Sequence, residues 1–251
     1  MKSKTSSMII ALFILAIVAG TPNIYADTVI IQLSDGTTTK TICDGCTGDG
    51  NSHNGVVTFV GSIGQWNIDV TTGTGSSVLG PGRLDLNSVN TASLGTNSTL
   101  TIMLTQTGMV NEFPGWRLSF GGTSSGIASL TYDAWAGNGS LTYTAPGGTS
   151  YTGGAFALTS LIGTVGPFTS SPFNGSAVGS VDLASLKVGN GTYSLTQRIQ
   201  ITGIAHTYNT FRGDANLTPV PEPTSIVLLG IALFGGAVLN CRVWKPAAGR
   251  N

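Results

Sequence analysis

The chain has 251 residues, including 36 glycines, and its 11 basic and 11 acidic side chains give a formal net charge of zero. Charged residues make up 9% of the chain, against about 25% in average globular proteins, which argues against charged helical bundles, coiled coils and disordered polyampholytes. Lysine and arginine are scattered singly, so the chain lacks the basic clusters that bind nucleic acid, and we expect no such partner.

Residues 1–26 have the three parts of a secretory signal peptide. Lys2 and Lys4 precede an apolar run, and the small residue Ala26 precedes Asp27. The basic start stays in the cytoplasm, the apolar run enters the membrane, and a small residue fits the pocket of signal peptidase. The apolar run has about a dozen residues, fewer than the roughly 20 of a spanning helix, which argues against a permanent anchor. We therefore expect cleavage between Ala26 and Asp27 and export of the remainder.

Residues 27–217 form the predicted body, a single domain in which apolar and polar side chains alternate. Between Tyr193 and Thr202, for example, apolar side chains fall on one face of an extended chain and polar ones on the other. Such alternation predicts half-buried β-strands. The segments predicted as strands are 28–33, 56–60, 66–71, 99–105, 116–120, 127–132, 141–144, 155–161, 178–183 and 193–202.

Asp-Gly and Asn-Gly pairs follow several of these segments and supply the positive φ of tight hairpins. These pairs begin at Asp35, Asn54, Asn138, Asn174 and Asn190. No part of the body has a convincing helical period, and many short strands with glycine-rich turns predict an all-β fold. We favour a two-sheet, jelly-roll-like β-sandwich. A β-solenoid is the alternative, although the sequence has no fixed repeat length.

Two cysteines lie close together in Cys43-Asp44-Gly45-Cys46. In an exported chain this spacing favours a disulfide that closes the Asp-Gly turn, over a redox motif or half of a metal site. Residues 44–54 carry enough oxygen donors for a calcium loop, but their spacing matches no EF-hand and a solvated turn is favoured. We expect no cofactor and no bound metal.

Groups suited to catalysis are few. The chain has two histidines, His53 and His206, and no serine in a Gly-x-Ser-x-Gly nucleophile elbow. Two facing carboxylates could form a glycosidase site, but the acidic residues are nearly all aspartates in turn contexts or isolated on polar strand faces. We therefore expect no catalytic residue and no enzymatic activity.

Three tryptophans of the body are candidates for stacking on sugars. Trp66 and Trp116 share the apolar faces of their predicted strands, so we expect both in the core. Trp135 follows a predicted strand and precedes an Asn-Gly turn. This position predicts an exposed aromatic side chain, and we take Trp135 as the candidate glycan contact.

Residues 218–251 form a third region, in which a proline-rich break precedes an apolar stretch. The apolar run over 224–239 is short for a bilayer, but a transmembrane helix over about 224–244 is feasible if Arg242 extends toward the headgroups. The basic residues after it would hold the C-terminus in the cytoplasm. A buried core helix is the alternative, and it is disfavoured because the stretch has no polar face.

The order of features in this region resembles a known sorting signal. Val220-Pro221-Glu222-Pro223, followed by a short apolar helix and then basic residues, looks like a PEP-CTERM sorting signal, also catalogued as an ice-binding protein C-terminal domain. The resemblance implies that an integral-membrane cysteine protease, the exosortase, cuts near the Pro-Glu-Pro motif and hands the body to the cell surface. It also implies a Gram-negative bacterium that secretes exopolysaccharide, in which such proteins belong to biofilms.

Four functions follow from these expectations. The leading hypothesis is a non-enzymatic structural or adhesive protein of the cell surface or extracellular matrix. The alternative is a module that binds the exopolysaccharide of the cell. A secreted glycan-active enzyme and an ice-binding protein are less favoured. The ice-binding hypothesis needs regularly repeated Thr-x-Thr ranks, and ranks such as those at 99–101 and 142–144 are too few and unrelated in spacing.

Overall fold

The computed structural model describes residues 28–94, 99–138, 142–144, 150–152, 156, 158–187, 191–205 and 207–220. The predicted signal helix and transmembrane helix lie outside these residues. The strands, in chain order, are β1 (Thr28–Ser34), β2 (Thr39–Cys43), β3 (Val56–Ile63), β4 (Trp66–Thr74), β5 (Leu84–Leu94), β6 (Thr99–Met109), β7 (Trp116–Ser125), β8 (Ile127–Asn138), β9 (Thr142–Thr144), β10 (Ser150–Thr152), β11 (Ser160–Phe168), β12 (Phe173–Gly179), β13 (Tyr193–Gly203) and β14 (Tyr208–Pro219).

Two six-stranded antiparallel sheets form the body. Sheet A has the order β11-β8-β13-β6-β1-β2, sheet B has the order β12-β7-β14-β5-β4-β3, and β9 pairs with β10 separately. Consecutive strands such as β7 and β8, β11 and β12, or β13 and β14 lie in different sheets and contact each other across the interior. The chain therefore passes repeatedly from one sheet to the other, and the predicted two-sheet β-sandwich is confirmed.

Only short helices interrupt the strands described. A four-residue helix, α1 (Ser76–Leu79), precedes β5, and a 3-10 helix (Leu183–Ser185) follows β12. Asp182 caps the 3-10 helix, since its Oδ1 accepts the Ala184 N–H at 3.0 Å. The part of the chain described here contains no helix long and apolar enough to cross a membrane.

Large side chains fill the space between the sheets. Trp66 and Trp116 are fully buried there, as predicted. Phe120 lies at the centre of an aromatic cluster, with ring centroids 4.9 Å from Phe173 and 5.6 Å from Tyr132. Aromatic pairs at such distances each contribute about 0.5–1.5 kcal/mol beyond their buried area. This cluster therefore holds the two sheets together at the β7 and β12 side of the sandwich.

Several strand boundaries differ from the prediction. The described part of segment 155–161 enters β11 only at Ser160, and the predicted strand at 178–183 ends at Gly179 because Asp182 starts the 3-10 helix. The Asn174-Gly175 pair lies within β12 instead of in a turn. β2, β5, β10, β14 and most of β12 were not predicted. Inward positions of β5 and β14 hold small residues such as Ser88 and Gly213, which hide the alternation of these two strands.

Candidate functional site

The outward side of sheet B carries a broad polar surface built from β12, β7, β14 and β5. Along these strands the apolar residues, such as Leu86 and Leu217, point into the core. Their neighbours point outward, because side chains alternate along a strand. We call the outward residues in two adjacent rows across the four strands the polar face: Asn87, Asp214, Gly121 and Asn174 in one row, and Asp85, Asn216, Ser119 and Ser176 in the other.

The sequence Asp-x-Asn occurs twice in the polar face, at Asp85–Asn87 in β5 and at Asp214–Asn216 in β14. The two strands are antiparallel, so each aspartate lies opposite the asparagine of the other strand: Asp85 faces Asn216 and Asp214 faces Asn87. The two aspartates are therefore diagonal neighbours, within reach of each other. This arrangement places two carboxyl groups and two amides on one patch.

An open cavity of about 250 Å³ lies on the polar face. Its lining includes Ser119, Asn174, Asp214 and Asn216. Gly121 is at its floor between Asp214 and Asn174, and it has no side chain to fill the space. The cavity is therefore bordered by hydroxyl, amide and carboxyl groups that can both donate and accept hydrogen bonds.

Asp85 Oδ1 is buried and has no hydrogen-bond partner among the described residues. Burial of Asp85, together with the adjacent Asp214 carboxyl, raises the pKa of Asp85 to about 7. Asp214 Oδ2 accepts the Asn216 side-chain amide at 2.9 Å.

Trp135 is placed differently from the prediction. It is 8% exposed, and the Arg198 guanidinium lies 4.5 Å above its ring. Arg198 Nη2 donates to Asp133 Oδ2 at 2.8 Å, and the Thr164 hydroxyl donates to Asp133 Oδ1 at 2.7 Å. The expectation of an exposed Trp135 is wrong, because the Arg198 side chain of the neighbouring strand β13 lies over the ring. Its role as a glycan contact is not supported by this burial.

The cysteine loop is a stabilised turn. Cys43 and Cys46 form a disulfide, with their Cα atoms 5.2 Å apart. Asp44 accepts the backbone N–H of Gly55, and Asp49 Oδ1 accepts that of Thr58 at 2.9 Å. Both aspartates of the 44–54 segment thus hold the loop backbone, and desolvation raises the pKa of Asp44. Among the described residues, no group of three or more histidine, cysteine or acidic side chains could hold a metal ion.

The residues of the two predicted processing signals lie almost entirely outside the described part of the chain. These are Ala26 and Asp27 at the predicted cleavage site, and Pro221, Glu222 and Pro223 of the sorting motif. Val220 is described: its backbone N–H donates to the Gly115 carbonyl at 2.9 Å. Since β14 extends to Pro219, the folded body runs past the predicted boundary at Leu217 up to the motif itself.

The family model of the PEP-CTERM protein-sorting motif matches residues 219–242. The chain carries a PEP-CTERM sorting motif. The resemblance drawn from Val220 to Pro223 is thereby confirmed for the tail, and no family model of the body accompanies it. A PEP-CTERM motif supports an exported protein that passes through the membrane for sorting by an exosortase.

Comparison with curated protein sequences finds no match. Among solved structures, the carbohydrate-binding module TmCBM61, in complex with β-1,4-galactotriose, is 9% identical over 66% of this chain and 88% of its own, with a TM-score of 0.28. The adhesin domain of Epf from Streptococcus pyogenes is 9% identical over 79% of this chain and 66% of its own, with a TM-score of 0.35.

A third similar structure is the N-terminal cellulose-binding domain of Cellulomonas fimi β-1,4-glucanase C. It is 15% identical over 70% of this chain and 93% of its own, with a TM-score of 0.27. With all three TM-scores below 0.5, these similarities carry no information about what this chain binds.

The polar face was not predicted, although the sequence contains a signal for it. The segments Leu84-Asp85-Leu86-Asn87 and Asp214-Ala215-Asn216-Leu217 both alternate strictly between apolar and polar residues. This alternation places each aspartate on the same side of its strand as the asparagine two residues later. The repeated Asp-x-Asn therefore marks two strands whose outward sides have the same chemistry.

Proposed function

We propose that this PEP-CTERM protein is a non-enzymatic protein of the cell surface or extracellular matrix whose sandwich binds a polysaccharide on the polar face. In this proposal signal peptidase removes residues 1–26 and the exosortase removes the tail. The observation that carries the proposal is the mirrored pair of Asp-x-Asn segments beside the cavity floored by Gly121. This arrangement places amide, hydroxyl and carboxyl groups around a space that is open to a sugar ring.

The chemistry of the polar face suits sugar hydroxyls. Asparagine side chains donate and accept, and Asp85, whose pKa is raised to about 7, can do both as well when it is protonated. No residue that defines the polar face is aromatic, so hydrogen bonds supply the recognition. Four such bonds, at about 0.5–1.5 kcal/mol each, give roughly 2–6 kcal/mol. That corresponds to a Kd near the millimolar range for one binding unit, and many copies on a surface would hold a polymer far more firmly.

In this proposal the two carboxyl groups help to recognise sugar hydroxyls. Asp85 lies opposite Asn216 and Asp214 lies opposite Asn87, so each carboxyl has an amide beside it that can bond the same hydroxyl group.

Affinity electrophoresis of the exported protein tests the proposal. The gels would contain the exopolysaccharide of the producing cell, or neutral and acidic polysaccharides in a panel. We expect one of them to retard the wild-type protein and Asn174→Ala to lower that retardation severalfold. Asn67→Ala removes an exposed asparagine of β4 outside the polar face, and it should bind like the wild type.

Three outcomes would oppose the proposal. If no polysaccharide retards the wild type, the polar face is not a glycan site and a purely structural surface role is the better hypothesis. If Asn174→Ala and Asn67→Ala bind alike, the glycan is held elsewhere on the sandwich. Release of reducing sugar ends during the assay would instead indicate an enzyme.

A further inference from the structure

The folded body ends directly at the sorting motif. Pro219 is the last residue of β14 and lies opposite Trp116 of β7, and the next residue, Val220, is bonded through its N–H to Gly115. β14 is an internal strand of sheet B, between β7 and β5. The chain therefore leaves the sandwich from the middle of a sheet, and the first two residues matched by the motif model belong to the body.

The segments next to this exit are held firmly. Lys187 Nζ donates to the Val110 carbonyl at 3.0 Å and to Glu112 Oε1 at 2.8 Å. The Tyr193 hydroxyl donates to the Asn111 carbonyl at 2.7 Å. These bonds connect the segment before β7 to β13 and to the segment after the 3-10 helix. The exit is thus fixed by side chains from several parts of the body.

The N-terminal strand begins at the same end of the sandwich. Thr28 of β1 pairs with Thr107 of β6, and Met109, two residues further along β6, pairs with Tyr193. The Tyr193 ring lies 6.5 Å from the Trp116 ring at the start of β7. Both connections of the body to the predicted membrane segments therefore leave from one end.

Only three residues, Pro221 to Pro223, separate Val220 from the apolar stretch that begins at Thr224. Three extended residues span at most about 10 Å. An enzyme that cleaves any peptide bond in this interval must therefore approach to within about 10 Å of Val220. Such an enzyme cannot avoid the surface around the exit while the body is folded.

This surface, which we call the end face, consists of Glu112, Phe113, Pro114, Asp182, Leu183 and Ala184. These residues border a cleft of about 260 Å³ beside the exit. Phe113 and Leu183 are mostly covered, whereas Glu112, Pro114 and Ala184 are exposed. The end face thus presents a partly apolar depression with acidic groups at its edge.

We propose that the end face is a contact surface for the membrane-embedded protease that processes the sorting motif. The substrate of that protease then includes the folded body as well as the linear motif. This inference uses the sorting motif and does not depend on polysaccharide binding by the polar face.

Pulse-chase labelling of the full chain in its native host tests the inference through the half-time of tail removal. Ala184→Arg places a bulky cation on the end face while leaving the backbone N–H that Asp182 accepts. We expect it to slow processing about fivefold or more, as for loss of one significant interface residue. The matched control is Ala128→Arg, at an exposed alanine of β8 at the opposite end of the sandwich, which should be processed like the wild type.

A linker provides the second readout. Inserting about 12 glycine and serine residues between Val220 and Pro221 moves the motif roughly 20 Å from the body on average. With this linker, Ala184→Arg and the wild-type residue should be processed at equal rates. Equal rates without the linker, or a slow Ala184→Arg that the linker does not rescue, would overturn the inference. A wild-type chain that is never cut would overturn it together with sorting itself.

Discussion

Replacing Asp85 by asparagine should stabilise the protein at alkaline pH. Asp85 is half-buried on β5 and is a diagonal neighbour of Asp214, and its pKa of about 7 lies above the value of about 3.9 for an unfolded aspartate. Between these two values the folded state binds one proton more than the unfolded state. The free energy of unfolding must therefore fall as pH rises from about 4 to 7.

The full linkage over roughly three pH units amounts to about 4 kcal/mol at about 1.4 kcal/mol per unit. Water screens a half-buried group, so we expect a smaller loss of about 1–2 kcal/mol. Asp85→Asn is neutral at every pH and can still donate a hydrogen bond to Asp214. The variant should match the wild type within about 0.5 kcal/mol at pH 4 and exceed it by about 1–2 kcal/mol at pH 8.

Urea denaturation of the exported protein at several pH values between 4 and 8 measures this difference. Asp69→Asn makes the same change at an exposed position of β4 and is the matched control. A wild type whose stability rises between pH 5 and 8 would contradict the raised pKa of Asp85. So would an Asp85→Asn variant that is no more stable than the wild type at pH 8.

Three further predictions concern the body. Arg198→Met leaves the buried Asp133 carboxylate without its ion pair and should lower the free energy of unfolding by about 2–4 kcal/mol; a loss below about 1 kcal/mol would show that Asp133 is stabilised otherwise. Phe120→Ala removes the centre of the aromatic cluster and should cost about 3–5 kcal/mol in the same assay. Cys43 and Cys46 should resist alkylation of the native protein until reductant is added, and their reduction should cost at most about 2 kcal/mol because the loop is short.

The fold could largely be predicted where large apolar residues alternate with polar ones, as in β6 and β13. Strands whose inward positions carry small residues were not predicted. In β14, Gly213 occupies an inward position against Phe211 and Phe120, so the strand has too few large apolar side chains for a clear pattern. The aromatic rings beside Gly213 fill the space that its missing side chain leaves. The pattern of apolar residues along β14 does not predict this packing.

The candidate site depends on the pairing of distant strands in the same way. Asp85 and Asp214 are neighbours only because β5 pairs with β14 in one register, and a shift by one residue would turn one aspartate into the core. The exposure of Trp135 also depends on a distant residue, since the ring is covered by Arg198 of β13. Alternation along one strand predicts which side of the sheet a residue faces. Which residues lie beside it on that side depends on the order and register of the neighbouring strands.

The polar face and the end face belong to different sides of the sandwich, so binding and processing should be separable. Asp214 lies five residues before Pro219, about 17 Å along β14. Its side chain points outward from sheet B, whereas the chain leaves the sandwich beside the end face. A body held at that end keeps the polar face open both before and after the tail is removed. Asn174→Ala should therefore lower polysaccharide retention without changing the half-time of processing, and Ala184→Arg should do the reverse. A variant of either kind that alters both measurements would show that the two surfaces are coupled through the fold.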